Sequence, residues 1–119
     1  MDRKMLNAYC ATLPGATLDD PWGGGHDAWK VGGKMFACVG VANDGVSVKT
    51  PDIETASLLI EMGRAVKAPY FHRSWVRMNW GQVDEAEMRE RVLNSYRIVR
   101  SGLTKKVQAT LDPVPDDQA

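Results

Sequence analysis

Two glycine-containing turns within residues 28–50 constrain the fold of this chain more than any other feature. The glycine pair at 32–33 and the Asn-Asp-Gly triplet at 43–45 each interrupt a run of mostly apolar residues. Glycine, asparagine and aspartate tolerate the positive φ angles that tight hairpin turns require. The segment therefore predicts a three-stranded antiparallel meander, in which Lys30, Lys34 and Lys49 interrupt the apolar residues.

Alternation along the predicted strands indicates which side chains share a face of the sheet. The middle strand divides into two sets, Met35, Ala37, Val39 and Val41 on one face, and Phe36, Cys38 and Gly40 on the other. In the third strand the pattern directs Ser47 and Lys49 toward solvent or a ligand. Residues 75–80 repeat the alternation and predict a fourth strand, with Trp75 and Arg77 on its polar side.

Three amphipathic segments and one short segment predict helices. Asp84 and Glu87 form a capping-box-like start to the third helix, because an aspartate side chain there can accept a free N–H group of the first turn. The predicted limits are Asp2 to Pro14-Gly15, Thr50-Pro51 to Gly63, Asp84 to Gly102, and Leu103 to Leu111. Residues 17–27, which include three consecutive glycines and a proline, predict a loop that Trp22 pins to the core.

Length and composition predict one globular domain in the cytoplasm. The chain has 119 residues, of which 44% are hydrophobic and 25% are charged, as is ordinary for a globular protein. No apolar run approaches the roughly 20 residues that span a bilayer, and residues 1–4 lead into an amphipathic segment without a signal-like apolar block. We therefore expect one domain over residues 1–112, a flexible tail over 113–119, and no membrane partner.

Charge balance limits the partners that this chain can attract. Fifteen basic and fifteen acidic residues cancel, so the chain lacks the global positive field that steers many nucleic-acid-binding proteins. A local patch could still contact phosphates through basic side chains and stack on a base through an indole. The candidate residues are Lys30, Lys49, His72, Arg73, Trp75 and Arg77. The alternative is that they are ordinary solvated side chains, with Trp75 covered by the last helix.

Catalytic and phosphate-loop chemistry have weaker support in the sequence. The glycines at 23–25 and 32–33 precede strands, whereas a phosphate-binding loop opens a helix whose amide groups converge on the anion. His72 and Ser74 could pair as base and nucleophile, but no third orienting group or oxyanion hole is visible. We therefore expect no catalytic residues and no enzymatic activity.

Metal and redox chemistry are also not predicted. One cluster in the glycine-rich loop could be imagined as a metal site, but its members follow no recognised ligand spacing. Those residues are Asp19, Asp20, His26 and Asp27. Cys10 and Cys38 are not paired in the sequence and predict buried, reduced thiols. We expect neither a metal nor another cofactor.

Several of these residues, taken together, resemble a known family. The matching segments are Trp-Lys-Val-Gly-Gly-Lys-Met-Phe-Ala at 29–37, His72 and Trp75 around the fourth strand, Ser95-Tyr96 with Val99, and Leu-Thr-Lys-Lys at 103–106. As a set that extends from Leu6 to about Leu111, they resemble the MmcQ/YjbR family of small bacterial proteins.

The resemblance implies a two-layer α+β fold in which helices pack on one face of an antiparallel sheet, akin to the CyaY-like and secretion-chaperone-like architectures. It also implies DNA binding, because the family is often labelled DNA-binding on a proposed double-wing arrangement of its β-loops. Four residues stand at family-like positions, and one of them, Lys34, joins the predicted nucleic-acid-binding set: Lys30, Lys34, His72 and Trp75. The glycines at 23–25 and Arg73-Ser74 depart from the family's pattern.

The sequence therefore predicts a non-enzymatic protein that binds double-stranded DNA through its sheet face and hairpin loops. If about four side chains touched phosphates, log K would fall against log salt with a slope of about −3.6. Two alternatives remain open. One is a protein-interaction or chaperone-like adaptor that binds a protein partner through exposed aromatic residues and helix faces. The other is a small-molecule or metal site in the loop between Trp22 and Trp29.

Overall fold

The computed structural model describes residues 1–114, which contain six antiparallel strands and four helices. In chain order they are α1 (Arg3–Cys10), β1 (Thr17–Asp19), β2 (Asp27–Val31), β3 (Lys34–Val39), β4 (Gly45–Lys49), α2 (Ile53–Glu61), β5 (Val66–Lys67), β6 (Trp75–Asn79), α3 (Glu85–Ser101) and α4 (Lys105–Gln108). The strands form one sheet in the order β1-β2-β3-β4-β6-β5. All four predicted strands and all four predicted helices are thus confirmed. Most of the predicted tail, residues 115–119, lies outside the described residues, whereas Val114 packs against the core.

The helices cover one face of the sheet, because they bury their apolar residues against it. α3 lies on β2, β3 and β4, α2 lies on β5 and β6, and α1 contacts α3. Buried strand and helix residues join in one apolar cluster, within which the rings of Phe36 and Tyr96 meet edge to face at 5.2 Å. The predicted two-layer α+β fold is confirmed. We call the side of the sheet that these helices leave uncovered the open face.

No helix within residues 1–114 has both the length and the apolar character of a membrane span.

The register of β3, β4 and β6 determines what reaches the open face. Directly opposed residues of an antiparallel pair point to the same side of the sheet. One row across the three strands points into the core and consists of Ala37, Val48 and Val76. The next row points the other way and consists of Cys38, Ser47 and Arg77.

The predicted division of β3 between the two faces is wrong at Met35 and Phe36. Trp29 pairs with Ala37 while Lys30 pairs with Met35, so β3 carries one extra residue, Phe36. Such a bulge breaks the strict alternation of a strand. As a result Phe36 is buried in the core beside Ala37, and Met35 shares a face with Lys30.

Two edge strands and one helix start also differ from the prediction. β1 and β5 have three and two residues, too few to show alternation; the sequence predicts a loop at residues 17–27 and assigns no strand to residues 66–67. α2 begins after Asp52, whose side chain caps it, and not after Thr50. The Thr50 hydroxyl lies 2.7 Å from the carbonyl oxygen of Ser74 and so links two loops instead. The predicted caps Asp2 and Asp84 are confirmed.

Candidate functional site

Three of the predicted nucleic-acid-binding residues come together on the open face. Lys49 lies directly opposite Trp75, and Arg77 lies opposite Ser47 on the same two strands. Diagonal neighbours on one face of an antiparallel pair are about 7–8 Å apart. A lysine, an arginine and an indole therefore form one cluster, and all three side chains are partly exposed.

The two other predicted lysines do not join this cluster. Lys30 reaches the open face from β2, with β3 in between, and its Nζ atom lies 3.0 Å from a carboxylate oxygen of Asp19. The hydrogen bond from Lys30 is the main reason why the pKa of Asp19 is lowered. Lys34 closes the hairpin opposite Val31, whose side chain is buried in the core. Lys34 therefore lies on the helix side, at the end of the sheet.

The loop before β6 holds the remaining predicted residues. His72 and Arg73 are exposed, and the His72 Nδ1 atom accepts the N–H of Ser74 at 3.1 Å and lies 2.9 Å from its hydroxyl. This is a local turn. Trp75 is not covered by the last helix; Phe71 stacks on it instead, with ring centroids 4.7 Å apart and planes inclined by 20°. One side of the indole is therefore occupied by its own loop.

A groove of about 600 Å³ lies over the open face beside this cluster. Its floor is the cross-strand row Cys38, Ser47 and Arg77, so that three adjacent strands contribute one side chain each. Its sides come from the glycine-rich loop, the β3–β4 turn at 40–45, and loop residues 69–71. The lining is mostly apolar, and its size is that of a small-molecule site.

The glycine-rich loop is organised by one carboxylate. N–H groups of Gly24, Gly25 and His26 donate to Asp20, and these bonds, that from Gly25 foremost, lower the pKa of Asp20. The loop holds Trp22 outward, with 55% of its surface exposed and its ring 4.7 Å from that of His26. The prediction that Trp22 pins the loop to the core is wrong. The His26 Nδ1 atom is buried 3.6 Å from an Asp20 oxygen, beyond hydrogen-bond length.

Arg3 of α1 braces two of the segments that line the groove. Its guanidinium donates to the carbonyl oxygen of Gly25 at 2.6 Å and to that of Gly40 at 3.5 Å. It also donates to Asp27 at 2.6 Å, and the Asn7 amide donates to the same carboxylate oxygen at 2.9 Å. The hydrogen bond from Arg3 is the main cause that lowers the pKa of Asp27. One charged pair therefore positions both loops.

Tyr70 is the most exposed aromatic residue of the groove. Its side chain is fully exposed within residues 1–114, and its φ is 73°. A non-glycine residue in this left-handed region is uncommon and carries strain, on the order of 1 kcal/mol. Together with Trp22 it gives the groove two aromatic rings that the fold itself does not bury.

The polar groups of the groove sit at its floor and rim. Arg77 donates from Nε to the Asn79 side chain at 2.9 Å, but its Nη1 atom is 3.8 Å from Asp44, which is too long for a hydrogen bond. The Ser47 hydroxyl makes no hydrogen bond within residues 1–114. Burial is the main cause that raises the pKa of the Cys38 thiol to about 11. The groove therefore offers stacking surfaces and hydrogen-bonding groups, with a neutral thiol at its floor.

The carboxylates that could be imagined as metal ligands are engaged within the fold. Asp19 pairs with Lys30, Asp20 holds its own loop, and Asp27 holds Arg3. Within the described part of the chain, no group of three or more histidine, cysteine or acidic side chains is arranged to hold a metal ion.

The sequence does not predict the groove, because its lining comes from separate segments that meet only in the folded chain. The available signal is the presence of large aromatic residues inside predicted loops. Trp22 stands beside the glycines at 23–25, and Tyr70-Phe71 follows Pro69. Apolar rings in such loops are either buried or available to a ligand, and only the structure distinguishes the two.

Comparison with known proteins identifies a family and structures of similar fold. A profile of the YjbR family matches residues 11–98. The crystal structure of Deinococcus radiodurans protein DR2400, described as a DUF419 domain, is similar with a TM-score of 0.80 and 22% sequence identity, over 90% of this chain and 85% of that one. At this identity the likeness concerns the fold alone. No curated protein gives a significant match.

Proposed function

The chain belongs to the YjbR family, and we propose that it is a non-enzymatic protein that binds nucleic acid on the open face of its sheet. The observation that carries this proposal is the cluster of Lys49, Trp75 and Arg77 on adjacent strands of an uncovered face. Cations that converge beside an aromatic surface can contact phosphates while the ring supports a base.

The charges around this cluster support phosphate binding. Within residues 1–114, the Lys49 and Arg73 side chains take part in no ion pair or hydrogen bond. The Arg77 guanidinium forms a long ion pair with Asp44 at 3.8 Å, which offsets part of its charge but leaves its Nη hydrogen-bond donors available to a phosphate. By contrast, Lys30 is neutralised by Asp19. We therefore assign the phosphate contacts to Lys49, Arg73 and Arg77.

The chemistry of the groove supports binding rather than catalysis. A thiol with a pKa of about 11 is protonated near neutral pH, and the thiolate is the reactive form. Ser74 is buried, and His72 contacts it only as part of a two-residue turn. Within residues 1–114 no carboxylate hydrogen-bonds to His72 to orient it as a general base.

Fluorescence anisotropy with labelled oligonucleotides tests the proposal. We expect salt-sensitive binding, with weaker affinity at about 200 mM than at about 50 mM salt. The double variant Lys49→Gln, Arg77→Gln should weaken binding and flatten its salt dependence. The matched control Lys105→Gln, Lys106→Gln removes the same charge from exposed lysines of α4, and should bind like the wild type. Absence of salt-sensitive binding at roughly 100 μM protein would refute the proposal.

A second candidate function is protein interaction through α2. Leu58, Ile60 and Met62 are exposed at 53%, 39% and 59%, and Leu58 and Met62 border a second cleft of about 430 Å³ between α2 and α3. Clustered exposed apolar residues mark interaction surfaces. The test is a partner that copurifies with the wild type, is lost with Leu58→Glu, Met62→Glu, and is retained by Lys49→Gln, Arg77→Gln.

A further inference from the structure

We infer that the groove binds one unpaired nucleobase, so that the open face prefers single-stranded nucleic acid to a duplex. This inference rests on the proposed function and specifies its ligand. Three observations carry it: the size of the groove, the two exposed aromatic rings at its sides, and the free polar groups at its floor.

The size and lining suit a flat, partly apolar ligand. The groove measures about 600 Å³ and is mostly apolar, and this volume lies within the range of small-molecule sites. Trp22 and Tyr70 are exposed at 55% and 106%. Each base that stacks on an aromatic side chain adds about 1–3 kcal/mol. A ring seated here would cover apolar surface that the fold leaves open to water.

The polar groups can read the edge of such a ring. The Ser47 hydroxyl, which makes no hydrogen bond within residues 1–114, can donate or accept at the floor. The Asp44 carboxylate accepts and the Arg77 guanidinium donates, and the two are too far apart to satisfy each other. A base edge carries both donors and acceptors. An aliphatic ligand would leave these groups unpaired.

The charges next to the groove suit the backbone of the same strand. Arg77 lies at the floor, and Lys49 lies diagonally from it on the next strand. Arg73 is exposed in the segment that joins wall residues 69–71 to β6. A base in the groove therefore places its own or a neighbouring phosphate within the same region as these cations. Two carboxylates lie nearby: that of Asp20 accepts its own loop's N–H groups, and that of Asp44 pairs with Arg77 at 3.8 Å, so Lys49 and Arg73 are the cations without an acidic partner within residues 1–114.

A duplex cannot use the groove in this way. In double-stranded DNA each base is stacked on both sides and its pairing edge is occupied, so only an unpaired or extruded base can enter a pocket. The proposed phosphate contacts alone would not distinguish the two forms. Strand preference therefore reports on the groove, and salt dependence reports on the cations.

The experiment compares three labelled ligands with the full chain: a single strand, a hairpin duplex of the same sequence, and a single strand whose central bases are replaced by abasic sites. We expect the single strand to bind at least about tenfold more tightly than the other two. Trp22→Ala should weaken single-strand binding by about 5- to 150-fold. Tyr70→Ala serves as a second variant that is safe for folding, since the side chain is fully exposed. Met62→Ala, which removes an exposed apolar side chain outside the groove, should have no effect.

Each outcome has a defined meaning. If the duplex and the abasic strand bind as tightly as the single strand, and the two aromatic variants bind like the wild type, base binding in the groove is refuted while nucleic-acid binding stands. If no ligand binds with salt sensitivity, the proposed function itself fails. If a short tryptophan-containing peptide competes with the single strand at equal concentration, the groove takes aromatic side chains and the assignment to a base is overturned.

Discussion

At the scale of single residues, Ser95 of α3 joins the helix layer to the sheet. Its hydroxyl donates to the carbonyl oxygen of Phe36 at 2.6 Å and accepts the N–H of Lys49 at 2.9 Å. The register of β3 with β4 covers Ala37–Val48 and Cys38–Ser47, and Ser95 bonds the carbonyl and the N–H group that lie just beyond it. A buried helix side chain thus completes the sheet next to the bulge.

We expect Ser95→Ala to lower the free energy of unfolding by about 1–3 kcal/mol. The substitution removes no apolar contact, but it leaves a buried carbonyl and a partly buried N–H without partners, and unsatisfied groups carry such a cost. Urea denaturation followed by circular dichroism measures the change. Ser57→Ala, on the exposed surface of α2, is the matched control and should stay within about 0.5 kcal/mol of the wild type. Equal stability of the two variants would contradict this account.

This residue could not be predicted from the sequence, although its neighbours could. The stripe of α3 was visible, since Met88, Val92 and Tyr96 recur at helical spacing and are buried. A serine within that stripe is consistent with many environments. Its importance depends on the bulge, because the carbonyl that accepts its hydroxyl belongs to Phe36, the extra residue of β3. A bulge of this kind is set by tertiary packing and leaves no distinctive pattern.

At the scale of elements, the pairing of β4 with β6 depends on the absence of a side chain at Gly45. A Cβ atom there would lie 2.0 Å from the carbonyl oxygen of Met78 and 2.6 Å from the Cα atom of Asn79. These are backbone atoms of the neighbouring strand, which cannot move without opening the ladder. The close approach matters for the proposed function as well, because β4 and β6 carry Lys49 and Arg77.

We expect Gly45→Ala to destabilise the protein by about 1–3 kcal/mol or more, as overpacking in a close contact does. Gly40→Ala is the matched control, because Gly40 lies at the other end of the same turn and a Cβ atom added there would meet no other atom within 4 Å. The two variants are compared by thermal denaturation. A similar melting temperature for both would show that the strands tolerate the added methyl group.

We expect α1 to hold the groove loops less strongly at low pH. The Arg3 hydrogen bond lowers the pKa of Asp27, so the folded chain binds the proton less readily than the unfolded chain. The stability from this pair is therefore present above the unfolded pKa of about 3.9, and it is lost as the pH falls through the lower folded pKa. Asp27→Asn should lower stability by about 1 kcal/mol near pH 7.

The gap between wild type and Asp27→Asn should narrow as the pH falls below about 4, because protonation removes the charge that the variant already lacks. Urea denaturation near pH 7 and below about pH 4 measures this difference in the free energy of unfolding. Asp112→Asn, at an exposed position, is the control. A gap that does not depend on pH would contradict a role for the ionised carboxylate.

At the scale of the whole molecule, the two-layer fold followed from the sequence and the groove did not. Turns, caps and apolar stripes are local signals. They predict four of the six strands, β2, β3, β4 and β6, and all four helices. The groove depends on three loops that meet over one face, and on Asp20 and Arg3, whose hydrogen bonds to these loops span 4 to 37 residues of sequence. The predicted basic residues likewise do not all share one face. Lys34 lies one residue beyond the hairpin turn and points to the helix side, away from Lys49 and Arg77.

The balance of charge over the whole chain predicts a modest salt dependence. Fifteen basic and fifteen acidic residues cancel, and only Lys49, Arg73 and Arg77 are assigned to phosphates. For a single strand, log K falls by about 0.7 per phosphate contact for each unit of log salt, so we expect a slope of about −2. This corresponds to roughly 20-fold weaker binding on going from about 50 to about 200 mM salt. Anisotropy titrations over this range measure the slope. A slope near zero would show that these side chains do not contact phosphates. A slope steeper than about −4 would mean that Lys30, Lys34 or other cations also contact the ligand.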